Sequence, residues 1–140
     1  TSPAAIALLR ELAAALGCGR ITVTTPDDHD RLIAFTSQLP HVLAGAYVKS
    51  PACLEHEGYS AGSYRDVSRV ATVDEKLWSE LFLLNAAHLT QEIDGLIRNL
   101  SACRDAVAAG DRPRLEEVLR RGREIKESLQ MRKAGAEDET

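Results

Sequence analysis

The sequence predicts an all-α fold preceded by half of an α/β unit, and three observations predict it. Apolar residues recur at three- and four-residue intervals along most of the chain, the spacing of amphipathic helices. Helix-start signals stand in front of the periodic stretches, at Ser2-Pro3, Thr25-Pro26, Thr72-Val73-Asp74-Glu75 and Asp111-Arg112-Pro113. Only the β-branched run Ile21-Thr22-Val23-Thr24 has the composition of a strand.

In chain order, Ser2 caps a first helix and Pro3 opens it. Ile6, Leu9, Leu12, Ala13 and Leu16 share its face, and Gly17 ends it. The run 21–24 follows as a short strand. A lone strand cannot satisfy its own backbone groups, so its sheet partners are expected upstream. The first residue is Thr rather than Met, and Thr1 reads as a processing boundary with native sequence before it. Thr25 caps the second helix, with Asp27 and Asp28 at the positive end of its dipole. Leu32, Ile33, Phe35, Leu39, Val42, Leu43, Ala46 and Tyr47 continue it, and Pro40 inside that run predicts a kink or a break.

Residues 50–63 contain Pro51, Gly58 and Gly62 and read as loop, followed by a short helix over Tyr64–Ala71. The capping box at Thr72–Glu75 opens a helix with no breaker before Gly110. Its stripe is Leu77, Trp78, Leu81, Phe82, Leu89, Ile93, Leu96, Ile97 and Leu100. A helix from 73 to 109 would be about 55 Å long at about 1.5 Å per residue. A globule of this size is narrower than that, so a partner subunit is expected to cover part of the stripe. The last helix packs back as a hairpin through Leu115, Val118, Leu119, Ile125 and Leu129. The tail Gly135–Thr140 is acidic, poor in apolar residues and expected to be disordered.

Composition bounds the function. The 140 residues are 44% apolar and 27% charged in mixed sign, enough for one folded domain. A net charge of −4 and a pI near 5.6 argue against a nucleic-acid partner. The apolar runs are too short for a membrane helix, and there is no signal-peptide pattern. Three cysteines without a CxxC pair predict reduced thiols in a cytoplasmic protein, with no disulfide framework and no metal site.

A few polar residues interrupt the apolar pattern, and buried polar groups cost free energy unless they are paired. Arg69 follows Asp66 by three residues and Arg65 by four, so the three share a helical face. An arginine fork at that place can hold a carboxylate bidentately, or it can form an ordinary surface pair with Asp66 worth under about 1 kcal/mol. His41, just after Pro40, is either a partly buried core histidine or a ligand-facing group in the space a kink opens. His29 lies twelve residues before His41 with no third ligand nearby, which is not a zinc spacing. Trp78 is either core or pocket wall, and Gly62 between Ser60 and Ser63 either a flexible loop or a close backbone approach. Gly17-Cys18-Gly19 lacks the strand before it and the helix after it that a dinucleotide fingerprint needs. No nucleophile–base pair, carboxylate pair or phosphate loop is present, so no catalytic residue is assigned.

Two blocks carry a family resemblance. They are His29-Asp30-Arg31-Leu32-Ile33-Ala34-Phe35-Thr36-Ser37-Gln38-Leu39-Pro40-His41 and Ser60-Ala61-Gly62-Ser63-Tyr64-Arg65-Asp66-Val67-Ser68-Arg69-Val70-Ala71. With Leu77-Trp78-Ser79-Glu80-Leu81-Phe82 and Asn85 they resemble the C-terminal domain of prephenate dehydrogenases, over roughly residues 25–95. The resemblance implies a helical dimerisation domain like the C-terminal domains of the 6-phosphogluconate-dehydrogenase-like proteins. On this view residues 1–25 are the last helix and strand of a Rossmann domain and the connection from it. Residues 26–134 form the helical domain, and 135–140 are the tail.

The family converts prephenate, or in some members arogenate, by NAD- or NADP-dependent oxidation in tyrosine biosynthesis. Its general-base histidine and its cofactor site lie in the N-terminal domain, so the resemblance implies a fragment without activity of its own. Arg69 matches the arginine that holds a substrate carboxylate, and His41 the second histidine of the family's His-Leu-Pro-His. Asp66 matches an acidic residue of an ionic network with that arginine. Gly62 and Trp78 match positions lining the pocket across a homodimer interface. Gln38 stands where many members have His, which bears on substrate choice because an amide does not titrate in the working range. Two rivals are a non-catalytic helical interaction module and the helical domain of a related 3-hydroxy acid dehydrogenase. The second would not need the Tyr64–Arg69 block.

Overall fold

Four helix starts are set by side chains that accept the first free backbone N–H groups. In the computed structural model, which describes residues 2–19 and 21–137 and side chains through Arg132, Ser2 Oγ accepts from Ala5 N at 3.3 Å. Thr25 Oγ1 accepts from Asp28 N at 3.1 Å, and Asp111 Oδ1 accepts from Arg114 N at 3.0 Å. Asp74 accepts from both Lys76 N and Leu77 N at 3.0 Å. The cap of that helix is therefore Asp74 rather than Thr72. A carboxylate reaches two donors at once and also suits the positive end of the dipole.

The chain divides into two compact units, 1–72 and 73–140. The first holds α1 (Pro3–Ala15), α2 (Pro26–Ile33), a π-turn (Ala34–Gln38), α3 (Leu39–Tyr47), a 3₁₀ turn (Pro51–Leu54) and α4 (Gly62–Ser68). The second holds α5 (Glu75–Leu84), α6 (Ala86–Ala108) and α7 (Arg112–Glu137). All the described elements are helical, as the all-α reading requires. Gly17 and Gly110 adopt positive φ, 77° and 62°, and end α1 and α6 as left-handed residues, which glycine does without steric cost.

Several expectations differ from the structure. Ile21–Thr24 has no regular secondary structure, and no strand exists among the described residues. A run without a neighbouring strand has no ladder to join, whatever its propensity. It lies against α1 instead, where Ile6, Leu9, Arg10 and residues 21–24 line an open groove of about 350 Å³. The irregularity at Pro40 falls on its N-terminal side. The chain runs from α2 to α3 through one widened turn, in which Leu39 N donates to Ala34 O, five residues back. Proline offers no N–H and crowds the carbonyl four residues before it, and a widened turn relieves both constraints.

The helix expected over 73–109 is broken at Asn85, whose φ of −116° and ψ of 30° leave the helical region. Asparagine competes for backbone groups and ends helices more readily than its neighbours here. The longest piece, α6, has 23 residues, about 35 Å, so the length argument for a partner loses its force. The short helix expected over Tyr64–Ala71 begins and ends earlier, at Gly62–Ser68, with Arg69 at its C-cap. At the other end α7 continues to Glu137, into the tail expected to be disordered, while residues 138–140 lie outside the described residues.

The buried apolar set is small: Ala34, Leu39 and Ala44 in the first unit, Leu89 and Ala106 in the second. The first three sit where α2, the π-turn and α3 meet. α6 and α7 form the expected hairpin, yet Leu119, Ile125, Leu129 and Met131 on α7 remain exposed. Along α7 the charges pair at helical spacing, Arg112 with Glu116, Arg120 with Glu117 and Glu124, and Arg123 with Glu127. These side chains stand largely in water, where screening and side-chain entropy leave such pairs little net effect on stability.

Candidate functional site

In the first unit the π-turn and α3 present Gln38 and His41, and α4 packs on α3 carrying Gly62, Asp66 and, at its end, Arg69. Widened turns of this kind are frequent at functional sites. Gln38 is buried, with 6% of its surface exposed. No buried side-chain polar atom among the described residues lacks a hydrogen bond, so its amide is part of the packing. His41 is half-buried, and its Nδ1 donates to the Ser37 carbonyl at 2.9 Å. A carbonyl only accepts, so this contact fixes the proton on Nδ1 and the ring's orientation.

Arg69 and Asp66 are exposed, as is Arg65. Among the described residues no ion pair joins Arg69 to Asp66 or to any other carboxylate. The surface-pair reading of Arg69 therefore has no counterpart in the structure. Gly62 faces open space: a Cβ built there meets nothing within 4 Å. Trp78 belongs to the second unit, half-buried on α5, where its ring meets Phe82 edge-on at 5.4 Å. His29 is exposed and bonds its neighbour Asp30 at 3.0 Å. Asp28 at the start of α2 has its pKa lowered, by the Thr25 hydroxyl and then by Arg31.

A second cluster in the first unit has no counterpart in the sequence reading. Tyr47 of α3, Cys53 of the 3₁₀ turn, His56 and Tyr64 of α4 surround a cavity of about 150 Å³. Tyr64 Oη lies 3.4 Å from Cys53 Sγ, and the Tyr64 ring lies 4.2 Å from that of His56 and 6.1 Å from that of Tyr47. His56 Nδ1 donates to the Cys53 carbonyl at 2.7 Å. The Cys53 hydrogen bond is the main cause of a raised Tyr64 pKa, so the phenol stays protonated. The four residues span 47 to 64 without a short motif, so spacing offered no signal.

No group of three or more potential metal ligands occurs among the described residues. Gly17-Cys18-Gly19 follows α1, and no strand precedes it among the described residues. A pyrophosphate-binding turn lies between a strand and a helix, and these residues stand after a helix instead. No described helix is long and apolar enough to cross a membrane.

Solved structures share this arrangement of helices. The chain superposes with a TM-score of 0.73 and 23% identity on the crystal structure of Synechocystis arogenate dehydrogenase, covering 92% of this chain and 49% of that one. The same TM-score and identity relate it to prephenate dehydrogenase from A. aeolicus in complex with hydroxyphenyl propionate and NAD+, covering 92% and 46%. At that identity the likeness defines the fold alone, a helical domain. Sequence comparison is more specific. Residues 25–121 match the family model described as "Prephenate dehydrogenase, dimerization domain". Cyclohexadienyl dehydrogenase of Zymomonas mobilis is 36% identical over 117 residues, 79% of this chain and 40% of that protein. Prephenate dehydrogenase of Bacillus subtilis is 25% identical over 117 residues, 80% and 32%. The chain belongs to the prephenate dehydrogenase family. It spans well under half the length of these curated relatives.

Proposed function

We propose that the chain is the substrate-binding and dimerising part of an enzyme that oxidatively decarboxylates prephenate to 4-hydroxyphenylpyruvate. Arogenate is the alternative substrate, and the relatives named above include enzymes called prephenate, arogenate and cyclohexadienyl dehydrogenase. The observation that carries the reading is Arg69. It is an exposed guanidinium with no ion pair among the described residues, inside the block that resembles the family pattern. An unpaired fork of five donors is suited to a planar carboxylate, and both candidate substrates carry one.

His41, held by Ser37, lies near the substrate side chain in this reading. Asp66 tunes the field around Arg69, while Gln38 shapes the wall without titrating. Gly62 leaves room for the ligand, and Trp78 lines the pocket from the partner subunit. NAD or NADP, bound by residues outside this chain, supplies the hydride acceptor. The chain alone is therefore inactive.

The assembly proposed is a homodimer through the second unit. Leu83, Leu84, Leu119, Ile125, Leu129 and Met131 are all more than half exposed there. Exposed apolar residues in that number belong to an interface. The three free thiols suit a cytoplasmic location. The test is turnover by the full-length enzyme with prephenate and arogenate, each with NAD and NADP, for wild type and Arg69→Ala. Loss of turnover at fixed low substrate in Arg69→Ala supports the reading, and identical kinetics in the two proteins overturn it.

A further inference from the structure

α4 has seven residues, no side-chain cap and no buried residue. A helix that short does not hold itself in place in water. What fixes it is one stripe. Tyr64 and Ser68, four residues apart, are the half-buried positions of α4, and the rest of it is exposed. Tyr64 is gripped from three directions: by Cys53 through its hydroxyl, by His56 against its ring, and by Tyr47 beyond. Those residues come from α3, the 3₁₀ turn and the loop after it, so the cluster ties α4 to the element that carries His41.

Helix geometry turns that anchor into a setting for the neighbouring stripe. Arg65 and Arg69 lie one position further on, about 100° around the axis from Tyr64 and Ser68. The depth and rotation at which Tyr64 seats therefore decide where the Arg69 guanidinium points. We propose that Tyr64, seated by the Cys53 thiol and the His56 ring, is a positioning residue that aims Arg69 at the substrate carboxylate. This rests on the reading of Arg69 as the carboxylate clamp. An error of about 1 Å at such a clamp is enough to cost a large factor in rate.

The experiment is steady-state kinetics on the full-length enzyme with prephenate. The variants are Tyr64→Phe, Cys53→Ala, Cys53→Ser and Arg69→Ala, with the double variant Tyr64→Phe/Arg69→Ala. Tyr64→Phe keeps the ring and removes only the hydroxyl, so the fold is retained. Losing one hydrogen bond of this kind is expected to raise KM about two- to tenfold with kcat nearly unchanged. Cys53→Ala is expected to do the same, and Cys53→Ser to restore the wild-type KM because its hydroxyl can replace the thiol.

The decisive readout is coupling. With Arg69 already removed, Tyr64→Phe is expected to add nothing to KM, since the group it aims is gone. The same factor in both backgrounds overturns the proposal, as does an unchanged KM for Tyr64→Phe and Cys53→Ala. If Arg69→Ala alone leaves KM unchanged, the clamp reading fails and the positioning role falls with it. A raised KM for Arg69→Ala beside a silent Tyr64→Phe refutes the positioning role only.

Discussion

Removing the Arg69 guanidinium is expected to separate function from stability. Its side chain is exposed and, among the described residues, pairs with no carboxylate, so Arg69→Ala leaves no buried charge behind. Surface changes of that kind stay within about 0.5 kcal/mol, which moves Tm by no more than about 2 °C in a protein of this size. The substrate side is different. A charge-assisted hydrogen bond is worth about 1.5–3 kcal/mol, so losing it lowers kcat/KM about 10- to 150-fold, mostly through KM. Arg69→Lys keeps the charge but not the fork. The attraction left to an ammonium at about 4 Å in water is about 1 kcal/mol, so lysine recovers about fivefold at most. The assay is initial-rate kinetics on the full-length enzyme beside a thermal melt of each variant. A fall in Tm of 10 °C or an unchanged kcat/KM would refute the reasoning, the first by showing that Arg69 holds the fold.

Other outcomes follow from the same structure. Ile125→Asp together with Leu129→Asp is expected to convert a species of about 30 kDa, twice the 15.2 kDa chain, into monomer in sedimentation at micromolar concentration. A dimer that survives both changes puts the interface elsewhere. Residues 1–140 alone are expected to bind neither NAD nor NADP in calorimetry, and micromolar affinity for either would place a nucleotide site within this chain. Asp28 gives a pH prediction. Its folded pKa is lowered, so it adds stability above its unfolded pKa and that contribution is lost as pH falls through the acidic range below it. The melting temperature of Asp28→Asn should therefore fall less steeply on acidification than that of wild type, and parallel curves would count against the role.

Much of this architecture was legible because its signals are local. Ser2, Thr25 and Asp111 cap helices where the sequence placed them, since a cap needs only a side-chain oxygen and the N–H two or three residues on. Gly17 and Gly110 end helices for an equally local reason. What failed depends on partners or on competition. Ile21–Thr24 has strand composition, but a strand exists only where another chain segment offers a ladder. Asn85 breaks a helix that periodicity alone runs through, because the apolar stripe continues on both sides of it. The blocks holding Gln38, His41, Asp66 and Arg69 were visible as polar residues in apolar surroundings. Tyr64 was visible only as a letter beside them. Its contacts with Cys53 and His56 join residues eleven and eight positions away that no helical period links.

The widened turn at Ala34–Gln38 also bears on how this protein can change its length. An α-turn closes on the fourth residue and this one on the fifth, so the segment carries a single surplus residue. Each residue advances a helix by about 100°, so deleting one here would bring the turn back to ordinary spacing and rotate α2 by that angle against α3. Insertions and deletions are usually tolerated only in loops, because inside a helix they throw every following side chain out of phase. Here the phase slip is already present and confined to one turn. The helix entering the site and the helix carrying His41 can thus be re-indexed against each other by one residue, a coarse adjustment that no point substitution could make.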